Sequence, residues 1–180
     1  MSRGLALLGL VGVAATAGFV ASAISADHKG RFLKRLKVRL TRYWPATLRE
    51  GPLPLMSRDN VPLAWVTADS LVDLRMEGTG VLPDGRRVNY LDGIHWQLVP
   101  AGVHGYGVGG RELVPFESIA VDPSVIPLDS LCYLVELRRW VKAVDVGDLI
   151  KGLHIDLFVP GAAAASGDDA RDFCTVDVYA

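Results

Sequence analysis

The stretch AVDVGDLIKGLHIDLF, residues 143–158, is apolar on both sides of a glycine-and-lysine turn, yet it carries Asp145 and Asp156. Side chains along a strand alternate between faces. GLHIDLFV therefore sets Ile155, Leu157 and Val159 on one face and His154, Asp156 and Phe158 on the other. The aliphatic face is the core face, which leaves Asp156 beside an aromatic ring and an imidazole. A carboxyl group partly desolvated by Phe158 has a raised pKa, as a general acid working near neutral pH requires.

The same alternation extends outward. WVKAVDV groups Val141, Ala143 and Asp145, and SIAVD groups Ala120 and Asp122, so each aspartate closes a strand-like run. Strand ends of a barrel can converge on one cleft. Asp122 before Pro123 and Asp145 before Val146-Gly147 are also ordinary turn formers, whose carboxylates bond nearby amides. Asp156 has no adjacent Gly or Pro, so a turn role is less natural there.

From residue 61 onward the chain reads as short apolar-alternating runs split by turn signals: PLAWVTA, SLVDLRMEGTGVL, RRVNYL, IHWQLV, LVPFESIAVD, VIPLDSLCYLVEL and a terminal CTVDVYA. Such punctuation predicts β-strands. The fold class is mainly β, with spacing that suits a small barrel and short helices near 147–151 and 162–172. GYGVGG, residues 105–110, reads as a loop needing positive φ or close backbone approach. No GKS or GKT follows it, so it is not a Walker-type phosphate loop.

The 180 residues carry a net charge of −1, which conceals an asymmetry. Seven cations lie between Asp27 and Arg42, whereas from Tyr43 onward 11 basic side chains face 19 acidic ones, a net of −8. A nucleic-acid-binding core has the opposite balance, and no nucleic-acid partner is expected. Residues 1–26 hold the apolar run GLALLGLVGVAATAGFVASAIS, read as a secretory signal or membrane anchor. Export to the periplasm or cell envelope is the expected localisation, although the cations after the run exceed those before it, against the positive-inside tendency.

Residues 27–60 are read as a basic and proline-containing linker, and residues 61–180 as the folded domain. In KGRFLKRLKVRL the cations alternate with Phe32, Leu33, Leu36, Val38 and Leu40. That pattern fits either an anionic membrane surface or a solvated linker. Cys132 and Cys174 sit in apolar runs; a disulfide and two buried thiols both stay open. Neither cysteine has metal-ligand neighbours, so no zinc site, and no metal or cofactor at all, is expected.

LVPFESIAVDPSVIPLDS followed by AVDVGDLIKGLHIDLF, residues 113–158, resembles the three-aspartate (3D) domain, and in particular the C-terminal part of the membrane-bound lytic murein transglycosylase A (MltA) family. The family pattern runs as a VAVDP-type strand end, an IPLG turn, then D-x-G-G-x-I-K-G and an h-D-h-[FY] strand, where h is apolar. EGTGVLPDGRRVNY is a weaker match upstream. This chain departs from the pattern at Asp129, in place of the IPLG glycine, and at Asp148, in place of the second glycine of D-x-G-G. Asp tolerates left-handed backbone better than most residues.

The resemblance implies a six-stranded double-psi β-barrel that cleaves the β-1,4 bond between N-acetylmuramic acid and N-acetylglucosamine in peptidoglycan, leaving a 1,6-anhydro end. It implies Asp156 as the single general acid and base, with Asp145 and Asp122 lining or supporting the cleft. It suggests Thr79, in EGTG, as a sugar-contacting hydroxyl, and Lys151 as a support of the turn or a contact to a substrate acyl group. Peptidoglycan glycan strands are the implied partner, with membrane contact through the N-terminal segment. The family also carries a second domain that helps form its glycan groove, and 180 residues are expected to leave no room for one. Two other readings remain: a noncatalytic, expansin-like cell-wall-binding barrel, and a hydrolase with Asp145 as second carboxylate. Fold alone does not choose among them.

Overall fold

The computed structural model describes residues 30–165 and 172–180. The expected signal or anchor segment lies outside the described residues. Among those that are described, no helix is long and apolar enough to cross a membrane.

The chain opens with a long strand, β1 (Phe32–Tyr43), and then leaves for β2 (Ala46–Thr47), β3 (Glu50–Met56), β4 (Pro62–Val66), helix α1 (Ala68–Glu77), β5 (Thr79–Val81), β6 (Arg87–Asp92) and β7 (His95–Val99). It returns with β8 (Ser118–Ala120), β9 (Leu131–Leu134), β10 (Arg139–Asp145), β11 (His154–Phe158), the short α2 (Ala162–Ala165) and β12 (Phe173–Tyr179). Six strands close a barrel in the order β1-β11-β8-β10-β9-β12, and six form a second sheet in the order β2-β5-β6-β7-β3-β4. The mainly β, six-stranded barrel expectation holds.

The expected linker is corrected. Residues 32–43 are a barrel strand, parallel to β11 and antiparallel to β12. Leu36, Val38 and Leu40 face the barrel core with Ile119, Leu134, Val141, Ile155, Leu157, Val176 and Val178, while Arg35, Lys37 and Arg39 point out. The period of two that resembled a membrane-facing segment is the period of a half-buried strand. Burying one such aliphatic side chain stabilises the fold by about 1.5–3 kcal/mol, which outweighs the preference of flanking cations for water, since those cations stay wet.

The expected single barrel over 61–180 is corrected as well. Residues 46–99 build the second sheet around Leu48, Leu55, Val66, Leu74, Val88 and Trp96, so the chain does have room for a second body. Pro52 and Pro54 sit in β3, whose ladder to β7 is a single pair, Met56 with His95, and whose ladder to β4 is irregular. A proline without an N–H is tolerated where a ladder is this incomplete.

SLVDLRME is helix and not strand. Thr67 caps α1 by accepting from the Ser70 amide at 3.2 Å, and Gly78 ends it at φ 69. With only ten residues the apolar spacing is too brief to display a clear helical period. The helix expected at 147–151 is a turn, in which the Ile150 amide donates to Gly147 O at 3.0 Å. Both cysteines are buried, and the Cys174 thiol donates to Glu136 Oε2 at 3.0 Å.

The GYGVGG loop behaves as expected. A Cβ on Gly105 would stand 2.6 Å from Thr79 Oγ1, and one on Gly107 would stand 2.5 Å from Val144 O. Glycine is what lets this loop lie flat between the second sheet and the barrel.

Candidate functional site

Parallel pairing sets Thr41 beside Asp156 and Tyr43 beside Phe158. On the other edge of β11, Asp156 faces Ala120 of β8. The outward row of β11 is therefore His154, Asp156 and Phe158, with Ile155, Leu157 and Val159 in the barrel core. Phe158 is fully buried, packed with Leu113, Val144 and Tyr43; its ring centroid lies 5.2 Å from that of Tyr43 and 6.3 Å from that of His104.

The half-buried Asp156 carboxyl meets the Thr41 hydroxyl, which also lies 2.8 Å from His154 Nε2. Asp156 Oδ1 is buried with no hydrogen-bond partner among the described residues. Burial pushes the Asp156 pKa up, and the charge of Asp145 adds to the rise, against the opposing pull of Thr41, His154 and Arg39. An orphaned, desolvated carboxyl oxygen favours the protonated form.

Asp145 is held quite differently. Its Oδ2 accepts from the Tyr43 hydroxyl at 3.1 Å, and its Oδ1 accepts from the amides of Val108 at 3.1 Å and Val146 at 2.9 Å. Burial still raises its pKa, but its acceptors are engaged. It locks the GYGVGG loop and Tyr43 onto the end of β10. Burial and the negative charge of Asp145 hold the Tyr43 phenol well above its ordinary range, so it stays a donor.

Asp122 is half-buried, and its carboxylate accepts from the Ser124 amide and hydroxyl at 2.9 and 2.6 Å and from the Gly152 amide at 2.8 Å. The Ser124 hydroxyl, with these amides, holds its pKa down to about 2. Its bonds are those of a turn former that also tethers the loop entering β11. Exposed Lys151 acts electrostatically on Asp122, and neither residue bonds to Asp156. Thr79 is 1% exposed and donates to Asn89 Oδ1 at 2.8 Å, an oxygen that also accepts from the Tyr106 amide at 2.8 Å. The Thr79 hydroxyl thus pins the GYGVGG loop from the second sheet, and buried as it is, it does not present itself to a sugar.

Of the two departures from the family pattern, Asp129 occupies left-handed backbone at φ 68, whereas Asp148 is absent from the described non-glycine residues with positive φ. Asp129 is bridged to Arg111 at 2.6 Å and Lys142 at 3.2 Å.

Glu77 escapes the sequence reading. It ends α1 half-buried, and burial, then the charge of Asp156, push its pKa up to about 7, partly offset by the Trp44 amide. A second carboxyl group therefore feels Asp156, delivered by helix α1. Its only sequence signal is its place in EGTG. His104 was likewise missed: its Nδ1 is buried without a described partner, and burial lowers its pKa.

The fold and site define a barrel protein whose outer wall carries a carboxyl group with a raised pKa and one oxygen without a partner among the described residues, beside an aspartate whose acceptors are engaged. Residues 117–173 match the family model described as the 3D domain; β1 and most of β12, which close the barrel, lie outside that match. A 66-residue stretch is 44% identical to the cell wall-binding protein YocH of Bacillus subtilis (strain 168), covering 37% of this chain and 23% of that protein. The chain thus matches under a quarter of that relative's length. Among solved structures, MltA of E. coli with bound chitohexaose superimposes with TM-score 0.57 at 17% identity, over 79% of this chain and 71% of that one. The membrane-bound lytic murein transglycosylase of Agrobacterium tumefaciens gives 0.51 at 12% identity, over 82% and 75%. At these identities the two structures establish a shared fold.

Proposed function

We propose that this protein acts on peptidoglycan in the cell envelope as a lytic transglycosylase, with Asp156 as general acid and then general base. The observation that carries this reading is the buried, unpartnered Oδ1 of Asp156 beside an Asp145 whose acceptors are engaged. Protonated Asp156 donates to the glycosidic oxygen, and the bond from that oxygen to the muramic C1 breaks to an oxocarbenium-like state. The C6 hydroxyl oxygen of the same sugar then bonds to C1, and its proton returns to the Asp156 carboxylate. No water enters, so one carboxyl is enough, unlike the pair that hydrolysis requires. The fold shared with lytic transglycosylases supports this reading.

A second reading, a noncatalytic wall-binding module, is favoured by the similarity to a protein named for cell-wall binding. Incubation with purified sacculi followed by mass spectrometry separates the readings. Anhydro ends that disappear in a folded Asp156→Asn variant are the expected result. Reducing ends would indicate hydrolysis, and intact glycan with protein retained on it would indicate binding alone. A folded Asp156→Asn variant that still releases anhydro-muropeptides would overturn the assignment.

A further inference from the structure

The basic segment that opens the fold is not explained by cleavage of an uncharged bond. With Leu36, Val38 and Leu40 committed to the barrel core, the apolar surface it leaves exposed is the ring of Phe32 at its start. Its cations instead stand on the outer wall in a row, Arg35, Lys37, Arg39, that continues through Thr41 to Tyr43. Alternate residues of a strand are about 6.6 Å apart, so the row runs straight to the site, where Thr41 pairs with Asp156.

Its members differ in availability. Arg35 is neutralised by a two-pronged pair with Asp177, at 2.6 and 2.8 Å. Lys37 and Arg39 have no ion pair among the described residues: Lys37 Nζ lies 6.0 Å from the centre of the Phe173 ring. Of the acids near this stretch of β12, Glu136 is engaged by Thr175 and by the Cys174 thiol, and Asp172, whose carbonyl accepts from the Leu40 amide at 3.0 Å, directly precedes Phe173. Arg39 has His154 of β11 as its partner on one side and Phe173 of β12 on the other, and Phe173 is 59% exposed. The wall beside Asp156 thus offers two cations with no ion pair among the described residues and an exposed aromatic ring.

We propose that Lys37, Arg39 and Phe173 form a docking surface for the stem peptide that hangs from the muramic sugar, the cations meeting its carboxylates and Phe173 its apolar side chains. This rests on the peptidoglycan reading above. Glycan carries no charge that would call for Lys37 and Arg39, whereas stem peptides bear carboxylates at the distance from the sugar backbone that such a flanking surface requires. The acidic balance of the remaining chain makes this patch the place where an anionic substituent is tolerated.

The test compares binding of full-length protein to soluble glycan strands bearing stem peptides and to the same strands stripped by an amidase, with the lactyl carboxylates that stripping exposes then converted to amides so that the stripped strands are uncharged. Wild type is expected to favour peptide-bearing strands, and a Lys37→Gln/Arg39→Gln variant to lose that preference by about five- to tenfold, as expected for two partly exposed ion pairs. The wild-type preference is also expected to fade with added salt. Phe173→Ser, with an unchanged melting curve, is expected to weaken only the peptide-bearing arm. A wild type that binds peptide-bearing strands no better than stripped ones overturns the proposal, as does a double variant with an unchanged ratio. A double variant that loses only binding to anionic phosphatidylglycerol vesicles also overturns it, in favour of a membrane. Failure of wild type to bind stripped strands would count against the glycan reading instead, so the two failures are distinguishable.

Discussion

The Tyr43 hydroxyl donates to Asp145 Oδ2 at 3.1 Å, joining the last residue of the first barrel strand to the last residue of β10, 102 positions away. The same carboxylate holds the Val108 amide. One aspartate thus ties together three segments around the wall that carries Asp156. Tyr43→Phe keeps the ring against Phe158 and removes the donor, leaving one oxygen of a buried carboxylate underbonded. Chemical denaturation should show a loss of about 1–3 kcal/mol, with the midpoint shifted and the slope unchanged.

Glu77 gives a pH dependence of definite sign. Its folded pKa of about 7 lies above its usual 4.5, so the folded state binds the extra proton between those values. Stability is then fully present below about 4.5 and declines as pH rises to about 7. Glu77→Gln should be close to neutral at pH 4 and more stable than wild type above pH 7, measured by melting across the pH range.

Three carboxylates work in the opposite direction. Asp122, Asp129 and Glu136 are held down to about 2 by hydrogen bonds and, for Asp129, by Arg111 and Lys142. Their folded pKa values lie below the unfolded ones, so their contribution is present above about pH 4 and lost as pH falls towards 2. Acid unfolding followed by near-ultraviolet circular dichroism should begin in that window. In Asp122→Ala the window should narrow, and the Gly152 amide should exchange with solvent faster. Glycan cleavage should fall less than in Asp156→Asn.

Gly107→Ala tests the seam between loop and barrel. The added Cβ would lie 2.5 Å from Val144 O and 3.0 Å from Asp145 Cβ, so the loop must lift and the Val108–Asp145 bond must lengthen. Overpacking of this kind costs about 1–3 kcal/mol. Gly110→Ala, with nothing within 4 Å but φ 76, should cost less, through backbone strain alone. Equal melting temperatures for Gly107→Ala and wild type would refute the close approach.

What the sequence determined by itself is whatever rests on local alternation and local chemistry. Period-two patterning announced β11 and placed Asp156 opposite Ile155 and Leu157, because side-chain direction in a strand follows from backbone geometry alone. The glycines of 105–110 and the left-handed Asp129 were legible for the same reason. The α1 helix was misread because ten residues with few buried positions look alike in either period. Long-range pairing was decided only by the tertiary structure. It took Arg39 and Thr41 out of a supposed linker and set them beside His154 and Asp156, buried Thr79 under Gly105, engaged Asp145 with Tyr43, and brought Glu77 within electrostatic reach of Asp156. Each of those outcomes depends on which strand lies next to which, and on how much water the neighbour excludes. A carboxyl group's proton affinity is set by that enclosure, and no short stretch of sequence contains it.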